Sequence, residues 1–125
     1  MSSVLKAFNN HLLEFIEDVI RIFPENLDIK TGKTFIEGIK KVNPKKIITY
    51  WRDNILALYE KEILEGDITF FVNKDYRNDI GTKAQTLQVL EDIRGLVKKT
   101  TQDNKDKAMK YLQNLTKLCK LYFSD

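Results

Sequence analysis

The sequence predicts an all-α fold, a single-domain bundle of about five helices with an aromatic-containing connector at residues 66–82. Three observations carry that expectation. Apolar residues recur at spacings of three and four in five separate stretches, the period of an amphipathic helix and not of a strand. Glycine and proline are scarce, five and two in 125 residues, too few for a turn-rich β architecture. The chain is 42% hydrophobic and 31% charged, so it can bury a core without disulfides or a structural metal.

The first helix is expected from about Ser3 to Phe23, with Leu5, Phe8, Leu12, Phe15, Ile16, Val19, Ile20 and Phe23 as its stripe. Pro24 ends it, because proline has no N–H to donate and disfavours helix in the residue before it. The second runs from about Asp28, read as its cap, to Val42. Its inward residues are Ile29, Phe35, Ile36, Ile39 and Val42, and Gly32 and Gly38 suggest close approach of a neighbouring helix. Asn43-Pro44 is a helix-start signal, asparagine suiting the cap and proline the first turn. The third helix then continues to about Glu65 on Ile47, Ile48, Trp51, Ile55, Leu58, Tyr59 and Ile63, and Gly66 caps its end.

Residues 66–82 break the helical pattern and form the connector between residues 1–65, a three-helix part, and residues 83–125, a C-terminal helical hairpin. A fourth helix is expected over about 82–101, with Ala84, Leu87, Leu90, Ile93 and Val97 inward. After a polar hinge at 101–104 a fifth runs to about Phe123, on Ala108, Tyr111, Leu112, Leu115, Leu118, Cys119 and Tyr122. A hinge this short makes the last two helices an antiparallel hairpin.

Little in the chain suggests catalysis, metal or cofactor. His11 and Cys119 are its one histidine and one cysteine, and neither sits in a ligand-spaced pair. Cys119 lies on an apolar stripe, where a buried thiol is inert. The glycines are scattered and form no phosphate-binding loop. Asn73, Asp75, Asn78 and Asp79 miss the calcium-loop spacing and lack its final glutamate. The reading is a non-enzymatic protein with no cofactor and no metal. No run approaches the ~18 apolar residues of a membrane span, and the amphipathic segment after Met1 does not read as a secretory leader, so a protein that is not secreted is expected. With a single cysteine, a reducing compartment is expected.

Two surfaces are candidates for partners. Phe70, Phe71, Asp75 and Tyr76 place large aromatics in the connector, where they either plug the bundle or anchor a neighbouring chain. Lys98, Lys99, Lys105, Lys107 and Lys110 make the C-terminal part basic, with 9 Lys/Arg against 5 Asp/Glu over residues 82–125, while residues 1–81 hold 12 against 13. A solvated helix face explains such a balance, and nucleic acid or an acidic protein surface is the alternative.

The string FIEDVIRIFPENLDIKTGKTFIEGIKKVNPKKIITYW, followed by GDITFFVNKDY, resembles a group of short all-helical proteins encoded by nucleocytoplasmic large DNA viruses, the giant viruses. The carrying residues are Phe23-Pro24-Glu25, Lys30-Thr31, Asn43-Pro44, Gly66-Asp67, Phe70-Phe71 and Asp75-Tyr76, within the first two thirds of the chain. None is a catalytic signature, and no activity carries over residue by residue. The resemblance implies a viral protein in the virion or in the viral factory of the host cytoplasm. There it would be a structural or assembly component of minor capsid type, contacting other viral proteins and self-associating. The alternatives are a nucleic-acid-associated accessory protein using the basic hairpin, and a modulator that binds a host protein.

Overall fold

Leu5, Phe8, Leu12, Phe15, Ile16 and Val19 fall on one side of α1 (Ser3–Ile22) and are all buried. The computed structural model describes residues 3–67 and 92–124. α1 stops where the stripe meets Pro24, and a turn returns the Asn26 N–H to the Phe23 carbonyl at 3.1 Å. Asn26, not Asp28, then caps α2 (Leu27–Val42), its Oδ1 accepting the Ile29 N–H at 3.0 Å. The turn after Pro24 sets this register, and Asp28 falls inside the first turn, where its charge suits the helix dipole.

α2 lies on α1 through Ile29, Gly32 and Ile36, and Lys33 reaches Glu17 at 3.4 Å. It then runs off the body. Ile36 is buried, Ile39 half-buried, and Val42, expected inside, is 87% exposed. Gly38 is exposed too, and a Cβ there would meet no atom among the described residues within 4 Å, so no helix approaches closely at that position. Gly38→Ala should therefore raise stability by roughly 0.5–1 kcal/mol, because a mid-helix glycine costs backbone entropy and nothing opposes the methyl. A chemical denaturation midpoint that falls would contradict this.

The next stretch is one helical rod in three pieces: α3 (Lys46–Trp51), a π-helical turn (Arg52–Leu56) and α4 (Ala57–Leu64). Asn43 ends α2, its N–H bonding the Ile39 carbonyl, and regular α-helix resumes only at Lys46, past the Pro44-Lys45 turn. Of the rod's six buried residues, Ile48 lies beside Ile47, and the five residues Ile47, Trp51, Ile55, Tyr59 and Ile63 recur every fourth position. At about 100° per residue such a series would drift about 40° at each step and wind off the core. The wider π turn underwinds the rod and keeps the series facing inward. Leu58, outside that series, is 49% exposed. The rod ends in a Schellman motif: Gly66, at φ +76°, gives its N–H to Ile63, and Asp67 gives its own to Glu62 at 2.9 Å.

Residues 92–98 are helical, and a short turn at 99–101 leads into α5 (Gln102–Tyr122). Thr101 is the cap, its Oγ1 accepting the Asn104 N–H at 3.2 Å, so most of the expected hinge is the first turn of the helix. α5 packs on α1 and on the rod, with Ala108, Met109, Leu112, Leu115, Thr116 and Cys119 buried. The fold is an all-α single-domain bundle, and among the described residues there is no strand.

Candidate functional site

Among the described residues a concavity opens between the C-terminal half of α1 and the first turns of α5. It encloses about 280 Å³. Phe15, Val19, Ile22, Phe23, Val97 and Ala108 make an apolar floor, and Asp18, Arg21, Thr100, Asn104, Lys107 and Tyr111 surround it. Two helix registers produce this. Residues 15, 18, 19 and 22 share one side of α1, and residues 104, 107, 108 and 111 share one side of α5, each set spaced by three and four.

The polar wall is tightly organised. Tyr111 stacks on Phe15, with ring centroids 4.9 Å apart and planes inclined by 14°. Its hydroxyl donates to Asp18 Oδ2, while Arg21 pairs with Asp18 Oδ1. Both carboxylate oxygens are therefore engaged. Burial, with the charge of Glu14 nearby, pushes the Tyr111 hydroxyl above its usual range, so it remains a donor at neutral pH. His11 stands behind, 4.8 Å from the Tyr111 ring and 3.6 Å from Glu14 through Nδ1, with Nε2 buried and unpartnered among the described residues. Asn104 is fixed by its Nδ2 donating to Thr100 Oγ1 at 2.9 Å. Lys107 enters no ion pair among the described residues, so the rim carries one uncompensated positive charge. This arrangement can receive an apolar side chain with a polar or anionic neighbour.

Of the sequence-predicted partner residues, Phe70, Phe71, Asp75 and Tyr76 lie outside the described residues. Lys98 and Lys99 are exposed at the end of the helix over residues 92–98. Lys105 is half-buried, and Lys107 and Lys110 are exposed on α5. At about 100° per residue Lys105 and Lys107 diverge by about 200°, so only Lys107 and Lys110 share a helix face. Asp18, Arg21, Tyr111 and Ile22 were not legible as a site. Asp18 and Tyr111 stand 93 positions apart, and only tertiary packing joins them.

Cys119 is fully buried, its thiol donating to the Ile48 carbonyl at 3.5 Å. Burial pushes this thiol up to about 11 from its ordinary 9.0. The unfolded thiol ionises first as pH rises, so this contribution to stability is intact below about 9 and is lost between about 9 and about 11. Iodoacetamide labelling at pH 8 should track global unfolding, and rapid labelling of the folded protein would contradict the burial.

Among the described residues no group of three or more His, Cys, Asp or Glu is placed to hold a metal ion, and no helix is long and apolar enough to cross a membrane. No protein-family model, curated protein or solved structure matches the chain.

Proposed function

We propose that the chain is a non-enzymatic structural or assembly component of a large DNA virus, of minor capsid type, that works through protein–protein contacts. The α1–α5 groove is the observation that supports contact as its mode of action. Its apolar floor reaches the surface at Ile22, 40% exposed, and Leu27, 72% exposed, follows across the short turn. Exposed apolar residues beside a preformed apolar groove suit a partner's hydrophobic anchor. The viral setting rests on the resemblance carried by Phe23-Pro24-Glu25, Asn43-Pro44 and the neighbouring motifs.

The test is quantitative mass spectrometry of purified particles of the encoding virus. A fixed copy number relative to the major capsid protein is expected. Ile22→Asp with Leu27→Asp should remove the protein from particles while leaving the isolated domain's melting temperature nearly unchanged, since both side chains are exposed. Absence of the wild-type protein from particles would refute the reading and favour a host protein as the groove's partner. A nucleic-acid role for the C-terminal hairpin is the second reading. It is favoured by one observation: Lys98, Lys99, Lys105, Lys107 and Lys110 enter no ion pair among the described residues. Binding there would weaken steeply with salt.

A further inference from the structure

The densest lysine cluster of the described chain is at the α2–α3 corner, where Lys40, Lys41, Lys45 and Lys46 fall within seven residues around Val42-Asn43-Pro44. Lys40 and Lys41 end α2, where a cation complements the helix dipole. That reason fails for Lys45 and Lys46. They open the rod at the end where the dipole disfavours a cation, and no acidic residue stands in the first turn of α3. Lys40 is used structurally, its Nζ donating to Asn10 Oδ1 at 2.8 Å. Lys41, Lys45 and Lys46 are exposed and enter no ion pair among the described residues.

The corner is also preorganised. Asn9, 2% exposed in α1, donates its Nδ2 to the Pro44 carbonyl at 2.9 Å, and Asn43 Oδ1 accepts the Lys45 N–H at 3.3 Å. Beside it lies a groove of about 370 Å³ that includes Lys45 and Lys46 in its wall. That volume sits near the lower end of the roughly 300–1,000 Å³ typical of small-ligand sites. Its lining mixes Ile39, Ile47 and Tyr50 with Asn43, Thr49, Asn54 and Asp53, whose carboxylate is paired with Arg52 Nε at 2.8 Å. The two amides keep complementary groups unused among the described residues. Asn43 spends its oxygen on Lys45 and retains Nδ2, while Asn54 spends Nδ2 on the Tyr50 carbonyl at 3.2 Å and retains its oxygen.

We propose that this corner binds single-stranded nucleic acid, with Lys41, Lys45 and Lys46 meeting phosphates and the adjoining groove taking one base. The charge supplies the backbone contact, and an amide donor and acceptor beside the apolar surface of Ile39, Ile47 and Tyr50 match the polar edge and flat face of a nucleobase. An anionic membrane fits less well, since Val42 is the one strongly exposed apolar side chain at the corner. The proposal is independent of the particle reading.

Fluorescence anisotropy of a labelled oligothymidylate against the purified full chain tests it. At about 50 mM salt saturable binding is expected, with a slope of log K against log salt of about −2 for three single-strand phosphate contacts. The triple variant Lys41→Gln, Lys45→Gln, Lys46→Gln should bind at least tenfold more weakly with a flattened slope, and its melting curve should match wild type. Asn54→Ala, checked for an unchanged melting curve, should weaken binding without changing the slope, and unaltered affinity there would remove the base from the groove. Three results would overturn the corner as the site. They are no binding by the wild type, full affinity in the triple variant with loss on neutralising the five C-terminal lysines, or capture by phosphatidylserine vesicles in place of the oligonucleotide.

Discussion

Phe8→Ala should destabilise the domain by about 3–5 kcal/mol, the range for truncating a fully buried phenylalanine. Phe8 is 0% exposed and meets Trp51 edge-to-face, with centroids 5.8 Å apart and planes at 77°. The substitution removes the ring's transfer energy, leaves a cavity between α1 and the rod, and forfeits the aromatic contact. A domain of this size holds about 5–15 kcal/mol in total, so the variant should unfold at much lower denaturant. A loss below about 1 kcal/mol would mean that the α1–rod interface collapses around the gap, contrary to the packing described.

Thr116→Val should cost about 1–3 kcal/mol although it nearly conserves volume, because it strips a buried donor of its acceptor. Trp51 Nε1 donates to Thr116 Oγ1 at 3.2 Å, and both residues are buried, Thr116 completely. With valine in place of Thr116 the indole N–H would have no water to turn to. Trp51→Phe removes the donor but also shrinks the ring, so the single variants mix packing with hydrogen bonding. The double-mutant cycle separates them. The pair should lose less than the sum of its parts, since removing both partners leaves nothing unsatisfied. Strict additivity would show that the bond contributes nothing.

The helical stripes were legible because each is long and periodic, and burial follows them along α1 and most of α5. The failures are local and physical. Asn26 and Asp28 are both good cap residues, and the geometry after Pro24 decides between them. Val42 continues the α2 stripe, but a stripe cannot show where its helix leaves the core. The π turn left only a faint trace, the four-residue spacing of Ile47, Trp51, Ile55, Tyr59 and Ile63, which Ile48 and Leu58 mask by completing an ordinary three–four stripe. The groove left almost none, since its walls come from opposite ends of the chain. Charge counting pointed to the C-terminal lysines and passed over Lys40, Lys41, Lys45 and Lys46 at the α2–α3 corner, because residues 1–81 are balanced as a whole. The significance of that corner emerged only with the helix ends that place two of its lysines against the backbone dipole.

The Trp51 contacts also make the chain its own spectroscopic reporter. Trp51 is the one tryptophan in 125 residues and stands at the junction of three elements, the Phe8 ring on α1, its own rod and the Thr116 hydroxyl on α5. Its emission arises from an environment shut off from water, and any event that separates α1 or α5 from the rod moves that emission to the red. A partner seated in the α1–α5 groove or on the lysine corner touches neither the ring nor its hydrogen bond. Intrinsic fluorescence thus separates binding, which leaves the emission maximum in place, from loss of the fold, which shifts it, without a dye or an added label.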